Sequence, residues 1–256
     1  MMPLLSRPVR HPLLKPFVDR LWWTGTAPGP TVVRERILPT GRAQIIISAG
    51  LAGSVMVGPT SKSVDIIRRG DHVAVGAAFR AGGAEPFVAV PSDELTDTTI
   101  TLGAVWTLAS LPERLAELRA DAALDLLEAE LLRRLRPERV TRAVLAAERA
   151  IRAGRGAGAV AAWLGEDRRR LVPQFRRTVG VGPKHYERIR RFSRSVEAIR
   201  QPRPPSLATI ASEFGYADQA HLTREFGHFA GVPPSQLLGS TSGSLNHVDA
   251  DKIYKT

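Results

Sequence analysis

Apolar positions along the chain follow two different periods, and the change between them divides it. From Val18 to about Leu102, short β-branched runs recur: Thr31-Val32-Val33, Ala43 to Ile47, Ser54 to Val57, Val64 to Ile67 and His72 to Val75. Turn-forming pieces separate them, among them Pro39-Thr40-Gly41, Ala49-Gly50 and Gly58-Pro59. Strands this closely spaced, with no long helical pattern between them, predict a small barrel or sandwich and not a parallel sheet. After Ser110, a plausible N-cap, and Pro112, the spacing turns helical through Leu111, Leu115, Leu118, Ala122, Leu126 and on to Leu135. Pro137 breaks the run, and a second helical segment follows from Glu138 to about Arg152, ending at the glycine-rich Gly154 to Gly158. Beyond Leu238 the chain is Gly/Ser-rich and polar, as a mobile terminus would be.

These patterns predict four parts. Residues 1–110 form a β-rich domain, 111–136 a connecting or dimerising helix, 137–239 an all-helical domain, and 240–256 a flexible tail. The leucine stripe of 111–136 does not say whether it packs on the β domain or on another chain. The fold class is α+β.

Charge sharpens the division. Of the net +11, residues 1–136 contribute +2 and residues 137–240 contribute +9, mostly as arginine. Arginine suits bidentate contact with phosphates and guanine edges, so the asymmetry is that of a sensor joined to a nucleic-acid-binding module. With no cysteine, thiolate chemistry and Cys-based metal sites are excluded. The first half holds only His11 and His72, far apart, with no paired-histidine spacing for a metal. No nucleophile elbow or phosphate loop appears, so no enzyme, cofactor or catalytic residue is expected. No apolar run reaches the ~18 residues of a membrane span, and the expected location is cytoplasmic.

The most specific signal lies between Ser206 and Leu238. Ser206 can cap a helix through Leu207, Ile210 and Ala211 that ends at Gly215. Asp218 can cap the next, from Gln219 to about Phe229, with Leu222, Phe226 and Phe229 turned inward. Two short helices about a glycine turn make a helix-turn-helix, whose second helix enters the major groove. The run Gly215-Tyr216-Ala217-Asp218-Gln219-Ala220-His221-Leu222-Thr223-Arg224-Glu225-Phe226, followed by Gly231-Val232-Pro233-Pro234, strongly resembles the second helix-turn-helix of the AraC/XylS family of transcription regulators. The family implies a first unit upstream. Val160 to Gly165, Asp167, Leu171 and Phe175 fit it, with a linker helix from about Lys184 to Ile199 carrying Tyr186, Ile189, Phe192 and Val196 on one face. One residue departs: Pro173 stands inside the first recognition helix where the family usually has arginine, so that helix is expected to kink or begin late. The stretches Val75 to Ala84 and Val90 to Asp97 resemble an uncharacterised amino-terminal domain of AraC-type regulators, cupin-like in fold class, with Gly82 and Gly83 read as a turn or bulge.

The resemblance and helix geometry together assign roles. Gln219, Ala220, His221 and Arg224, with Arg169 of the first unit, are the candidates for reading bases. Arg168, Arg170, Thr223, Arg176, Arg177, Lys184 and His228 are the candidates for phosphate contacts. The implied partners are double-stranded DNA, an unidentified small-molecule effector, RNA polymerase if the protein activates, and a second copy in a homodimer. The competing expectation is a ligand-binding or protein-interaction module whose DNA-binding domain has degenerated, prompted by Pro173.

Overall fold

The structure, a computed structural model, describes residues 4–25, 32–49, 53–69, 73–139, 141–237 and 247–249. Its first part is antiparallel β. Strands β1 (Leu4–Arg7), β2 (Val18–Thr24), β3 (Val32–Ile37), β4 (Gln44–Ser48), β5 (Val55–Val57), β6 (Val64–Arg69), β7 (Ala74–Phe79) and β8 (Thr99–Thr101) are joined late in the chain by β9 (His247–Asp249). Six form one sheet in the order β1-β2-β7-β4-β5-β8, and three form another in the order β6-β3-β9. Every pairing is antiparallel, as runs linked by short turns require. The β-branched runs read from sequence fall on β3 to β7. Thr31, Gly50 and His72 lie outside the described residues.

Two expectations need correction. The leucine stripe after Ser110 predicts one helix, but there are two, α1 (Leu111–Glu117) and α2 (Ala120–Arg134). Leu118 and Arg119 between them are extended, with ψ of 150° and 153°. Leu118 was counted in the stripe and is instead exposed, whereas Leu111, Leu115, Leu124, Leu127 and Leu131 are all buried with Leu21, Ile45 and Phe79 of the sheet. The break lets two short helices turn their leucines onto one sheet, which a single straight helix would overshoot. Ser110 stands at the N-cap but makes no side-chain cap bond. Buried Glu128 of α2 fastens the chain start to this layer, accepting from Arg7 Nη1 and from the backbone N–H groups of Arg10 and His11. The second correction concerns the tail. Within 240–256, His247–Asp249 runs beside β3, whose edge offers unpaired N–H and C=O groups; residues 240–246 and 250–256 lie outside the described residues.

The second part is helical: α3 (Arg142–Arg152), α4 (Val160–Leu164), α5 (Arg168–Val179), α6 (Pro183–Ile199), α7 (Leu207–Glu213) and α8 (Gln219–Ala230). Its core gathers Val144, Phe175, Tyr186, Ile189, Phe192, Leu222, Phe226 and Phe229, each fully buried. The 17-residue α6 is about 25 Å long at 1.5 Å per residue and runs through this core, so both helix pairs pack on one strut. Leu38 and Ala81 of the amino-terminal domain bury into the same cluster.

The two parts also meet through hydrogen bonds at the carboxy-terminal ends of α5 and α8. Ser92 N–H donates to Arg177 O (2.8 Å), and Thr96 Oγ1 donates to Gly180 O (2.8 Å). Ser63 N–H donates to Phe229 O (3.1 Å), and Arg36 Nη1 donates to Ala230 O (3.0 Å). The last carbonyls of any helix lack intrahelical donors, and here the amino-terminal domain supplies them. Gly82, in its left-handed turn, also packs on this seam, where an added Cβ would touch Thr178.

Gly180 is the tightest point. It closes α5 with φ of 99°, and a Cβ there would lie 2.7 Å from Thr96 Oγ1 and 2.8 Å from Pro59 Cγ. Gly165 is equally left-handed, at φ of 68°, but open. Gly165→Ala is expected to cost about 1–2 kcal/mol, the left-handed penalty alone. Gly180→Ala should cost that plus about 1–3 kcal/mol of overpacking at the seam. Chemical denaturation of both variants checks the difference; equal losses would mean that the seam yields freely.

Candidate nucleic-acid interface

Helices α5 and α8 are set by the same local chemistry. Asp167 Oδ1 accepts Arg169 N–H (2.8 Å) to start α5, and Asp218 Oδ1 accepts His221 N–H (2.6 Å) to start α8. An aspartate N-cap satisfies an orphan donor and places a negative charge at the positive end of the helix dipole. Ser206 Oγ accepts Thr209 N–H to start α7, which ends before the left-handed Gly215. Left-handed Gly180 and Gly231 close α5 and α8. Pro173 neither breaks nor delays α5. The helix begins at Arg168 and continues through the proline to Val179, which removes the expected late start. Its caps and the buried Leu171, Phe175 and Val179 hold it in place.

On α8 the inward residues are Leu222, Glu225, Phe226 and Phe229, and the solvent face presents Gln219, Ala220, Thr223, Arg224, Gly227 and His228. Arg224 lies between Leu222 and Phe226, about 200° around the helix from each at 3.6 residues per turn, and so projects furthest outward. His221 is half-buried. Its Nδ1 accepts Ala217 N–H (3.2 Å) and its ring meets Tyr216 edge to face at 5.4 Å, so Nε2 carries the proton of the neutral ring and is a donor. Thr223 Oγ1 donates to Gln219 O (3.0 Å), and the hydroxyl must leave that bond before it can donate to a phosphate.

On α5 the exposed residues are Arg168, Arg169 and Arg170 in the first turn, Val172, Pro173 and Gln174 in the middle, and Arg176 and Arg177 in the last turn. Arg177 stands at the domain seam, where its carbonyl is bound by Ser92. There burial pushes the carboxyl of Glu85 up, against a bond to Thr178 and the charge of Arg177. Lys184 is exposed in the first turn of α6, and His228 is exposed with its ring 4.8 Å from Phe229. The candidates therefore lie on the exposed faces of α5 and α8 and at the start of α6, with the backbone of Arg177 at the seam to the amino-terminal domain.

A buried ion cluster fixes the tilt of α8. Glu225 is only 7% exposed, and its carboxylate accepts Arg188 Nη2 (2.7 Å) and Nε (3.2 Å), with Arg191 Nη2 at 3.6 Å. Burial alone would raise its pKa, but the bonds and charge of Arg188, with Arg191, outweigh burial and hold it below the usual carboxylate value. Nearby, Ser195 Oγ donates to Arg191 O and lies 3.2 Å from Tyr216 Oη, tying α6 to the turn between α7 and α8. The sequence reading missed this clamp and the seam residues Arg36, Ser63, Ser92 and Thr96.

Comparison with known proteins adds to this geometry. Residues 160–240 match a family described as a helix-turn-helix domain, and residues 9–101 match a domain of unknown function (DUF6597). No curated protein matches the chain. Among solved structures, ToxT from Vibrio cholerae at 1.65 Å is 11% identical, with 93% of this chain and 97% of that one covered and a TM-score of 0.42. ToxT from Vibrio cholerae O395 bound to (E)-4-(8-methylnaphthalen-1-yl)but-3-enoic acid is also 11% identical, over 93% and 97% of the two chains, with a TM-score of 0.41. No helix among the described residues is long and apolar enough to cross a membrane.

The clamp has a pH signature. A carboxylate whose folded pKa is depressed stabilises the fold above its unfolded pKa and loses that contribution as pH falls through the folded value. At neutral pH, Glu225→Gln should cost about 1.5–3 kcal/mol, the worth of hydrogen bonds to a charged partner. The gap between variant and wild type should close as pH drops below the ordinary carboxylate range. Denaturation curves at neutral and acid pH test this, and a gap independent of pH would show that the charge of Glu225 contributes nothing.

Proposed function

We propose, on the premise that residues 160–240 are an AraC-type helix-turn-helix domain, that the protein is a sequence-specific transcription regulator whose α8 reads the major groove. The observation that carries this reading is the open face of α8. Arg224 projects furthest outward and Gln219 and Ala220 are exposed beside it, while the opposite face is fully buried in the domain core. In this reading Gln219 bonds adenine N6 and N7, and Arg224 bonds guanine O6 and N7. His221 donates from Nε2 to an acceptor on a base or phosphate. On α5, Arg169 faces the bases while Arg168, Arg170 and Arg176 hold phosphates, which position the protein without reading sequence. The excess positive charge of this half supports that division.

The amino-terminal domain is the natural seat of regulation. Its loops hold the ends of both recognition helices, so an effector that moved those loops would move the helices with them. The competing reading, a degenerate DNA-binding domain, rested on Pro173, and the unbroken α5 does not favour it. We assign the protein no reaction, and its place of action is the cytoplasm, with the DNA.

The test is a binding titration on duplexes selected from a random pool, repeated at several salt concentrations. Log affinity of the wild type should fall linearly with log salt, and Arg176→Ala should lower the slope by about one without changing base preference. Arg224→Ala should cost about 1–3 kcal/mol on the selected duplex and relax preference at one position. No selected sequence, or an Arg224→Ala variant with unchanged affinity and preference, would overturn the assignment.

A further inference from the structure

The two helix-turn-helix units repeat one pattern at a constant offset. Asp167 and Asp218 cap their helices, Leu171 with Phe175 and Leu222 with Phe226 form the buried stripes, and Gly180 and Gly231 close them left-handed. Val181-Gly182-Pro183 and Val232-Pro233-Pro234 follow at the same offset. In this register Pro173 occupies the position of Arg224. It lies between the two buried residues of its stripe, and so stands at the outermost centre of α5.

That centre is apolar. Val172 is 36% exposed and Pro173 is exposed beside it, while three arginines precede them on the same helix and two follow. Stability does not explain the proline. An interior proline removes a helix hydrogen bond and crowds the preceding turn, and an exposed one returns nothing to the core. Neither its ring nor the valine side chain carries a donor or an acceptor. Arginines on both sides of the patch favour a polyanion as its partner over an apolar protein surface. In the major groove, the one base-edge group that such a surface can recognise is the C5-methyl of thymine.

We propose that Val172 and Pro173 read a thymine methyl in the DNA segment under α5, with the flanking arginines holding the backbone on either side. The two recognition helices then use different chemistry at equivalent positions, hydrogen bonding at Arg224 and apolar contact at Pro173. The inference rests on the DNA-binding reading above.

The test uses the full chain. Duplexes are first selected from a random pool with wild type, Pro173→Ala, Pro173→Arg and Arg224→Ala. Each thymine of the wild-type duplex is then replaced in turn by deoxyuridine, which removes the methyl and keeps every hydrogen-bonding group. At one thymine outside the segment that responds to Arg224→Ala, the replacement should weaken wild-type binding about fourfold, the worth of one buried methyl group. The same replacement should leave Pro173→Ala combined with Val172→Ser unaffected, and Pro173→Arg should shift the selected base there toward guanine. Both helix-compatible substitutions at 173 should keep or raise thermal stability, so loss of folding would not mask the result. Selection of a sequence with no methyl-sensitive thymine in that segment, or an unchanged preference in Pro173→Arg, overturns the proposal while leaving DNA recognition intact. A patch that serves a protein partner gives that same outcome. If wild type selects no sequence at all, the underlying DNA-binding reading fails with it.

Discussion

Four hydrogen bonds from the amino-terminal domain to the carboxy-terminal carbonyls of α5 and α8 are the constraint on which the rest of the arrangement depends. Arg177 O, Gly180 O, Phe229 O and Ala230 O each receive a donor from that domain. A helix end carries partial negative charge, and Arg36 adds a cation to the end of α8 while Asp65 holds its guanidinium at Nε and Nη2. Neither α5 nor α8 can swing away without leaving acceptors unmatched in a partly buried seam, at about 1–3 kcal/mol for each. Both helices are therefore anchored at the end opposite the one that carries Arg168 to Arg170 and Gln219 to His221.

The second constraint is internal to the helical domain. The strut α6 is shared by both units, and the pairing of Glu225 with Arg188 and Arg191 ties α8 to it. On the other unit, buried Tyr186 donates its hydroxyl to Glu148 (2.7 Å), tying α6 to α3. Phe192 meets Phe226 edge to face and Phe229 at a tilt, at ring separations of 4.9 and 5.2 Å. Packing of this kind spends the inner faces of α5 and α8, which leaves Arg168 to Arg170, Val172 to Gln174 and Arg176 outward on the one and Gln219, Ala220, Thr223 and Arg224 outward on the other.

Much of this was legible in the sequence. The glycine turns, the Asp caps and the Leu-to-Phe spacing marked the frame of both units and placed α8 to within a residue, because capping and burial are local effects. The β runs were legible for the same reason. Leu118 was misread because helical periodicity records apolar spacing and not what the apolar face meets; two short helices on a sheet and one long helix share nearly the same stripe. Pro173 argues from sequence for a kinked or late-starting helix. Its physical cost is real, but caps at both ends and three buried side chains outweigh it. The seam was invisible, since Ser63, Ser92 and Thr96 look like ordinary loop residues and their acceptors are backbone atoms over eighty residues away in the chain. Nor did Glu225 stand out, because its partners Arg188 and Arg191 sit on a different helix.

Native-state hydrogen exchange at the Ser63 and Ser92 amides tests the seam most directly, since these loop donors gain protection only from Phe229 O and Arg177 O. The two amides should exchange slowly in the full chain, and should open together with the last-turn amides of α5 and α8. Exchange at the rate of free loop amides, while α5 and α8 remain protected, would contradict the anchoring of these two helices by the amino-terminal domain.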